Sequence, residues 1–147
     1  MKKDSFEKKL EELKQKYCHG SFVYENSSKK FTEIVKSHFE NIKQKGKYGV
    51  YIVRQKETNE VLYIGKAGTI NQNGEFKNQD LIGRLTNVRG EKISANEWFK
   101  NLYKEKGPLI VEYILLPETE SPGYVENLLL QLYLNEHGRL PCKNEKL

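Results

Sequence analysis

Tyr48-Gly49-Val50-Tyr51-Ile52-Val53-Arg54 and, a few polar residues later, Glu60-Val61-Leu62-Tyr63-Ile64-Gly65 form the stretch that decides the fold of this chain. Both segments are rich in valine, isoleucine and tyrosine, the residue types that favour β-strands. Glu57-Thr58-Asn59 lies between them and supplies turn-forming residues. The pattern predicts a β-hairpin with strands over 48–54 and 60–65.

Tyr51 and Tyr63 hold related places in the two strands, with eleven residues between them. Side chains alternate between the two faces of a strand. A regular hairpin therefore brings both tyrosines to one face only if its loop has an odd number of residues. A three-residue loop, a five-residue loop or a bulge satisfies this condition, and the sequence leaves all of them open.

The remaining elements follow from apolar periodicity, capping residues and turn residues. We expect helices over 4–17, 28–45, 79–88, 94–106 and 121–138, with Ser28 capping the second of them. The apolar run over 109–116 predicts a third, central strand, while 18–27 reads as a linker and 66–80 as a polar insertion loop.

These elements predict an α/β fold of the α+β kind. We expect a small three-stranded, mostly antiparallel sheet flanked by helices. Two helices precede it, so the chain divides into a basic helical N-terminal extension over 1–46 and a second part over 47–147. A length of 147 residues suits one hydrophobic core.

The net charge of +5 is unevenly distributed. Residues 1–47 hold twelve lysines and seven acidic residues, whereas residues 48–147 hold thirteen basic and thirteen acidic residues. A basic excess attracts a phosphate backbone regardless of base sequence. The alternative is that these lysines only solvate the outer faces of two amphipathic helices.

Several classes of function are disfavoured by composition. No apolar run approaches the roughly 20 residues of a membrane span, and the polar start of the chain lacks the apolar core of a signal peptide. Cys18 and Cys142 lie far apart and outside any CxxC motif, as expected of free thiols in a reducing compartment. We therefore expect a cytoplasmic protein without a membrane partner, a structural zinc site or a small-molecule cofactor.

The tripeptides Gly49-Val50-Tyr51 and Tyr63-Ile64-Gly65, followed by Arg84, Glu126 and Asn144, resemble the pattern of the GIY-YIG family of metal-dependent DNA nucleases. The resemblance covers roughly residues 47–145 and leaves the first 46 outside. It implies a divalent-metal-dependent endonuclease that hydrolyses DNA phosphodiester bonds with Mg²⁺ or Mn²⁺.

The resemblance also implies roles for these residues. Tyr63 is the general base and Tyr51 its partner, Arg84 stabilises the phosphate, Glu126 binds the metal, and Asn144 holds the geometry of the site. These residue types suit phosphodiester hydrolysis, since the planar and permanently charged guanidinium of arginine can donate two hydrogen bonds to a phosphate. A carboxylate such as Glu126 on an otherwise apolar helix is costly unless something compensates it, and a metal is one compensation.

Three further cations are weaker candidates for contact with nucleic acid. Lys66 directly follows the second tripeptide, Lys77 lies closer to Arg84, and Arg89 is its rival for the phosphate role. Many family members carry histidine or tyrosine four residues after the arginine, whereas this chain has Val88, which leaves the base role to Tyr63. Two alternatives stay open: a nucleic-acid-binding domain of the same fold without catalysis, and a hydrolase that acts on RNA.

Overall fold

The structure is a computed structural model that describes residues 5–25, 28–40, 48–77, 80–87 and 93–147. Its helices are α1 (Ser5–Lys16), α2 (Phe31–Phe39), α3 (Leu81–Thr86), α4 (Ala95–Lys106) and α5 (Pro122–His137). Its strands are β1 (His19–Tyr24), β2 (Tyr48–Gln55), β3 (Val61–Ala67), β4 (Thr69–Ile70), β5 (Phe76–Lys77) and β6 (Leu109–Leu116). The predicted α+β fold with helices around an antiparallel sheet is confirmed.

The main sheet has four strands in the order β1-β6-β2-β3, all antiparallel, so the prediction of three strands is wrong. The additional strand, β1, comes from the segment predicted as a linker over 18–27. Its partner β6 lies about 90 residues further along the chain, with Phe22 opposite Val111 and Tyr24 opposite Leu109. Six residues with an internal glycine give a weak strand signal, and a long-range pairing decides the outcome.

Helices cover both faces of this sheet. On one face α2, α3 and α4 enclose an aromatic-rich core around Phe31 and Phe99, whose rings stack with centroids 3.6 Å apart. On the other face α1 and α5 enclose a second core around Phe6 and Tyr133. The first helix and the first strand therefore belong to the same folded body as the later elements.

An ionic cluster around the buried Arg54 fastens α1 to the sheet. The guanidinium of Arg54 on β2 donates to Glu112 on β6 at 2.6 Å and to both carboxylate oxygens of Glu7 on α1 at 2.8 and 2.9 Å. Lys14 of α1 forms a second ion pair with Glu112. Since Arg54 is almost fully buried, loss of either glutamate would leave a poorly solvated charge.

The β2–β3 hairpin shows which of the three alternatives, a three-residue loop, a five-residue loop or a bulge, is present. Val53 pairs with Tyr63 but Arg54 pairs with Val61, so Leu62 is an extra residue and forms a β-bulge. Beyond the bulge, Tyr51 lies opposite Gly65. The bulge thus brings Tyr51 and Tyr63 to the same face of the sheet.

Residues 66–77, which belong to the segment predicted as an insertion loop over 66–80, contain more regular structure than expected. Strand β3 continues through Ala67, and β4 and β5 then pair as a separate two-stranded ribbon. Gly68 between β3 and β4 has a positive φ of 96°, and a side chain there would meet the ring of Tyr48. Strands of two residues are too short to show an alternating hydrophobic pattern, so the sequence could not predict this ribbon.

The helix boundaries follow largely from local capping. Ser94 accepts from the backbone N–H of Glu97, and Ser121 accepts from that of Tyr124, both as predicted. Helix α2 begins after Lys30 without a side-chain cap, so the predicted cap at Ser28 is wrong, and the predicted end near residue 45 lies outside the described residues. Within the described ranges, no helix combines the length and apolar character that crossing a membrane requires.

Candidate active site

The two tyrosines of the hairpin lie side by side. Their ring centroids are 5.9 Å apart and their planes are inclined by 42°. Tyr51 is fully buried, whereas Tyr63 is half-buried and packs edge-on against Trp98 of α4 at 5.3 Å. Of the two, only Tyr63 is partly open to solvent.

Gly65 makes room for this pair. A Cβ atom at position 65 would lie 2.5 Å from Cζ of Tyr51, 2.6 Å from its Oη and 2.7 Å from Cε2 of Tyr63. Any side chain would therefore have to displace the Tyr51 ring. The glycine of the second tripeptide is thus explained by the space that the Tyr51 ring occupies.

Glu126 is the half-buried carboxylate of the site, on the second turn of α5. Burial raises the pKa of this carboxyl above its usual range, although the positive charges of Lys66 and Arg84 act in the opposite direction. Lys66 and Arg84 are therefore the cations close enough to influence the carboxylate. The net upward shift means that the protein disfavours the ionised form of Glu126 when nothing further is bound.

This charge cluster joins elements from both faces of the sheet. Arg84 lies on α3, on the tyrosine face, while Glu126 lies on α5, which covers the opposite face. Strand β3, which both helices contact, is the edge strand of the sheet. With no further strand beyond β3 in the described sheet, side chains from the two helix layers can approach each other past this edge.

Lys66 connects the charge cluster to the segment that follows β3. Its Nζ donates to the backbone oxygen of Gly68 and to Oγ1 of Thr69, both at 3.3 Å. The start of α5 is also close, because a Cβ at Gly123 would lie 4.0 Å from the same Nζ. Lys66 therefore lies between the base of the β4–β5 ribbon and the helix that carries Glu126.

Asn144 forms hydrogen bonds with β3 at the edge of the strand that lies away from β2. Its Oδ1 accepts from the backbone N–H of Ile64 and its Nδ2 donates to the backbone oxygen of Ile64, each at 2.9 Å. The backbone N–H of Lys143 donates to the oxygen of Leu62 at 2.9 Å. The C-terminal segment thus pairs with the edge of β3 that lies away from β2.

The structure brings the site residues predicted from the sequence onto or against one strand. Tyr63 and Lys66 belong to β3, Tyr51 packs over Gly65 of β3, and Asn144 binds the backbone of Ile64. Arg84 and Glu126 are joined to this group through their charge interactions, which include Lys66.

Some of the residues predicted for the site lie outside the described part of the chain, namely Arg89, Val88 and the side chain of Lys77.

The sequence analysis did not identify two residues that lie beside the site. Trp98 had a signal as the only tryptophan of the chain, but its helical spacing indicated a core role. Thr69 had no signal, since only tertiary structure places its hydroxyl beside Lys66.

The donor set limits the kind of metal site that fits here. The described part of the chain contains no group of three His, Cys, Asp or Glu side chains able to hold an ion. Mg²⁺ is commonly bound through one or two carboxylates, several waters and the phosphates of a substrate. Glu126 fits a site of this second kind, in which the substrate supplies the remaining ligands.

Comparison of the chain with protein-family models, with curated proteins and with solved structures found no match. A fold by itself does not define a function, so function has to be inferred from the residues and their geometry.

Proposed function

We propose that this chain is a divalent-metal-dependent endonuclease that hydrolyses DNA phosphodiester bonds. One observation carries the proposal. The half-buried carboxylate of Glu126 lies within the influence of Lys66, whose Nζ is near Gly123 at the start of the same helix, and of Arg84, whose helix packs on the sheet face that carries Tyr63. Hydrolysis of a phosphodiester by this route needs a base for the attacking water, a positive group for the developing charge and a divalent cation, and these side chains can supply the first two and bind the third.

Arg84 stabilises negative charge on the scissile phosphate. Its guanidinium stays ionised and donates two parallel hydrogen bonds to phosphate oxygens. Its position on α3 is supported by the Asp80 cap, whose carboxylate accepts from the backbone N–H of Gly83 at 2.8 Å. A capped helix holds the arginine backbone in place before substrate binds, which suits electrostatic stabilisation of a transition state.

Tyr63 is the general base for the attacking water, and Tyr51 positions it. Their burial supports this division, because the fully buried Tyr51 is closed to solvent while Tyr63 is partly exposed. A tyrosine has an ordinary pKa near 10, so it acts as a base only in a strongly positive environment. Arg84, whose helix packs on the same face of the sheet, contributes positive charge to that environment, and a cation held by Glu126 would add to it.

Glu126 is the residue that would hold Mg²⁺ or Mn²⁺, together with oxygens of the bound DNA phosphate. When bound, such an ion polarises the phosphate and lowers the pKa of nearby water. Glu126 contributes an ionised carboxylate held on a rigid helix. Its raised pKa fits a carboxylate whose charged form a bound cation would stabilise.

The remaining features support a DNA partner and a cytoplasmic location. The excess of lysine in residues 1–47 supplies attraction to phosphate. Cys18 and Cys142 are both exposed and form no disulfide, as suits a reducing compartment.

The proposal is tested by incubating the protein with plasmid DNA, single-stranded DNA and RNA, with Mg²⁺, with Mn²⁺ and with excess chelator. We expect cutting of DNA only with a cation, and a loss on the order of 10²–10³-fold in Glu126→Gln. Because the protein disfavours the charged form of Glu126, this variant should be at least as stable as the parent. The matched control is Glu118→Gln, at an exposed position. Full activity in chelator or in Glu126→Gln would refute the assignment.

One observation favours the second candidate, a nucleic-acid-binding domain without catalysis. Lys66 and Arg84 already supply positive charge to Glu126, which is a compensation that needs no metal. Binding of DNA without cutting in either cation would decide for this candidate. Cutting of RNA in preference to DNA would instead revise the substrate.

A further inference from the structure

The β4–β5 ribbon projects beside the candidate active site. In the sequence it lies between Lys66 and Arg84, the two cations whose charges act on Glu126. In the structure Lys66 donates hydrogen bonds to Gly68 and Thr69 at the base of the ribbon. A ligand held at Glu126 therefore lies next to this ribbon.

The tip of the ribbon is a tight turn with three consecutive carboxamides, Asn71, Gln72 and Asn73. The backbone N–H of Asn71 donates to the oxygen of Glu75 at 2.8 Å, and that of Gly74 donates to the oxygen of Asn71 at 2.9 Å. The Oδ1 of Asn73 accepts from the backbone N–H of Glu75 at 3.1 Å. The side chain of Asn73 thus takes part in closing the turn, and Gln72 is exposed at the tip.

The charge and size of the ribbon indicate what it contacts. Residues 68–77 carry one acidic and one basic side chain, so the ribbon has no excess charge with which to attract phosphate. From Thr69 to Asn71 an extended backbone reaches about 7 Å, and Gln72 lies beyond it in the turn. The major groove of B-DNA is about 8.5 Å deep and admits a two-stranded ribbon, and glutamine and asparagine pair there with two hydrogen bonds to adenine.

We propose that the β4–β5 ribbon enters the major groove of duplex DNA and reads its bases, with Gln72 as the main specificity-determining residue and adenine as the base it prefers. This rests on the proposed function in one respect only, that the ligand at the neighbouring site is nucleic acid. Double-stranded RNA does not fit, since its major groove is too deep and narrow for side chains to read. Because the ribbon is neutral, it contributes to specificity and little to affinity for phosphate.

The test is selection of bound duplexes from a library with a randomised central segment, followed by sequencing. The Glu126→Gln protein is used so that binding is measured without cutting. Gln72→Ala is compared with it, and so is Asn71→Ala/Gln72→Ala in case one carboxamide replaces the other. The matched control is Gln131→Ala, an exposed glutamine of α5 whose amide donates to Asn135.

We expect an adenine at one or two positions to be enriched with the Glu126→Gln protein and with the Gln131→Ala control. In the double variant the preference should fall on the order of 5- to 150-fold, the discrimination of one lost bidentate contact. The dependence of affinity on salt should not change, because no phosphate contact is removed.

Three other results overturn the assignment: no base preference in the Glu126→Gln protein, an unchanged preference in the double variant, or a salt dependence that falls with the substitutions. These results are separable from failure of the nuclease proposal. A protein that cuts DNA without a ribbon-dependent preference refutes the ribbon alone. A protein that binds with such a preference and never cuts refutes the hydrolysis alone.

Discussion

Asn144 binds both backbone hydrogen-bonding groups of Ile64, the central residue of the second tripeptide. Its carboxamide accepts from the N–H and donates to the oxygen, each at 2.9 Å, across 80 residues of sequence. The side chain therefore takes the place of a neighbouring strand at the edge where Tyr63, Gly65 and Lys66 are displayed. Its role in the structure is to hold the backbone of β3 in place. Any effect of Asn144 on activity is therefore indirect, through the positions of Tyr63, Gly65 and Lys66.

Replacement of Asn144 by alanine should destabilise the protein by about 1–3 kcal/mol, because both groups of Ile64 lose their partner. Asn144→Asp keeps an acceptor but loses the donor, so its effect should be intermediate. The measurement is urea denaturation, with Asn135→Ala on the exposed side of α5 as the control. Equal effects of Asn144→Ala and Asn135→Ala would show that the contact adds nothing to stability.

Gly65→Ala should displace the ring of Tyr51, because the new methyl group would lie 2.5 Å from its Cζ. We expect a loss of stability of about 1–3 kcal/mol from overpacking, together with a loss of activity. Gly123→Ala is the matched control, since its Cβ would meet nothing closer than 3.7 Å and alanine favours the helix. Thermal unfolding of the two variants should therefore shift in different directions, and a Gly65→Ala protein as stable as the parent would contradict the packing argument.

Tyr63→Phe should reduce the turnover rate by about 10²–10⁴-fold, the usual contribution of a general base. Tyr51→Phe should lose only about 5- to 10-fold, as expected when a hydrogen bond that orients another group is removed. Single-turnover cleavage at saturating protein measures both, and the control is Tyr17→Phe, at a partly buried position on the opposite face of the sheet from Tyr51 and Tyr63. A larger loss in Tyr51→Phe than in Tyr63→Phe would exchange the two roles.

Glu112 should make stability depend on acid pH. Burial raises the pKa of this carboxyl, but its hydrogen bond to Lys14 and the charge of Arg54 outweigh burial and the net shift is downward. Because the folded-state pKa is lower than the unfolded one, the stabilisation is complete above the unfolded value near 4.5 and is lost as pH falls through the folded value.

The corresponding variant is Glu112→Gln. Its free energy of unfolding, measured from neutral pH down to about 3, should be lower than that of the parent at neutral pH and should fall less steeply in acid. Glu118→Gln, at an exposed site, should leave the profile of the parent unchanged. A parallel profile for Glu112→Gln would mean that the ionic cluster with Arg54 contributes no pH-dependent stability.

The basic N-terminal part should provide affinity for DNA and not catalysis. Deletion of the first 25 residues cannot test this, because it removes α1 and β1 with core residues such as Phe6 and Phe22. Replacement of the exposed Lys8, Lys16 and Lys36 by glutamine keeps the core. We expect weaker binding and a salt slope reduced by about 0.9 for each lost phosphate contact. The control variant replaces three exposed lysines of the neutral part, namely Lys100, Lys104 and Lys146. An unchanged salt slope in the N-terminal variant would mean that its lysines only solvate the helices.

Local sequence was sufficient to predict the elements whose structure depends only on residues within the same segment. The strand over 109–116 and the helices capped by Ser94 and Ser121 were predicted closely, because capping and hydrophobic runs act within a few residues. The insertion and the linker were predicted less well, since β1, β4 and β5 are short and exist through pairing with another segment. The resemblance to a nuclease pattern, and the roles assigned from it, stay predictions.

The sequence by itself determined the composition of the candidate site: two tyrosines in adjacent strands, an arginine, one carboxylate on an apolar helix, and an asparagine near the end. Only the tertiary structure decided how they meet. A bulge at Leu62 sets both tyrosines on one face, and the position of β3 at the edge of the sheet lets Arg84 of one helix layer and Lys66 of the sheet act on Glu126 of the other helix layer. The physical reason is that register, edge position and burial depend on contacts between distant segments, whereas propensity and capping depend only on neighbours in the chain.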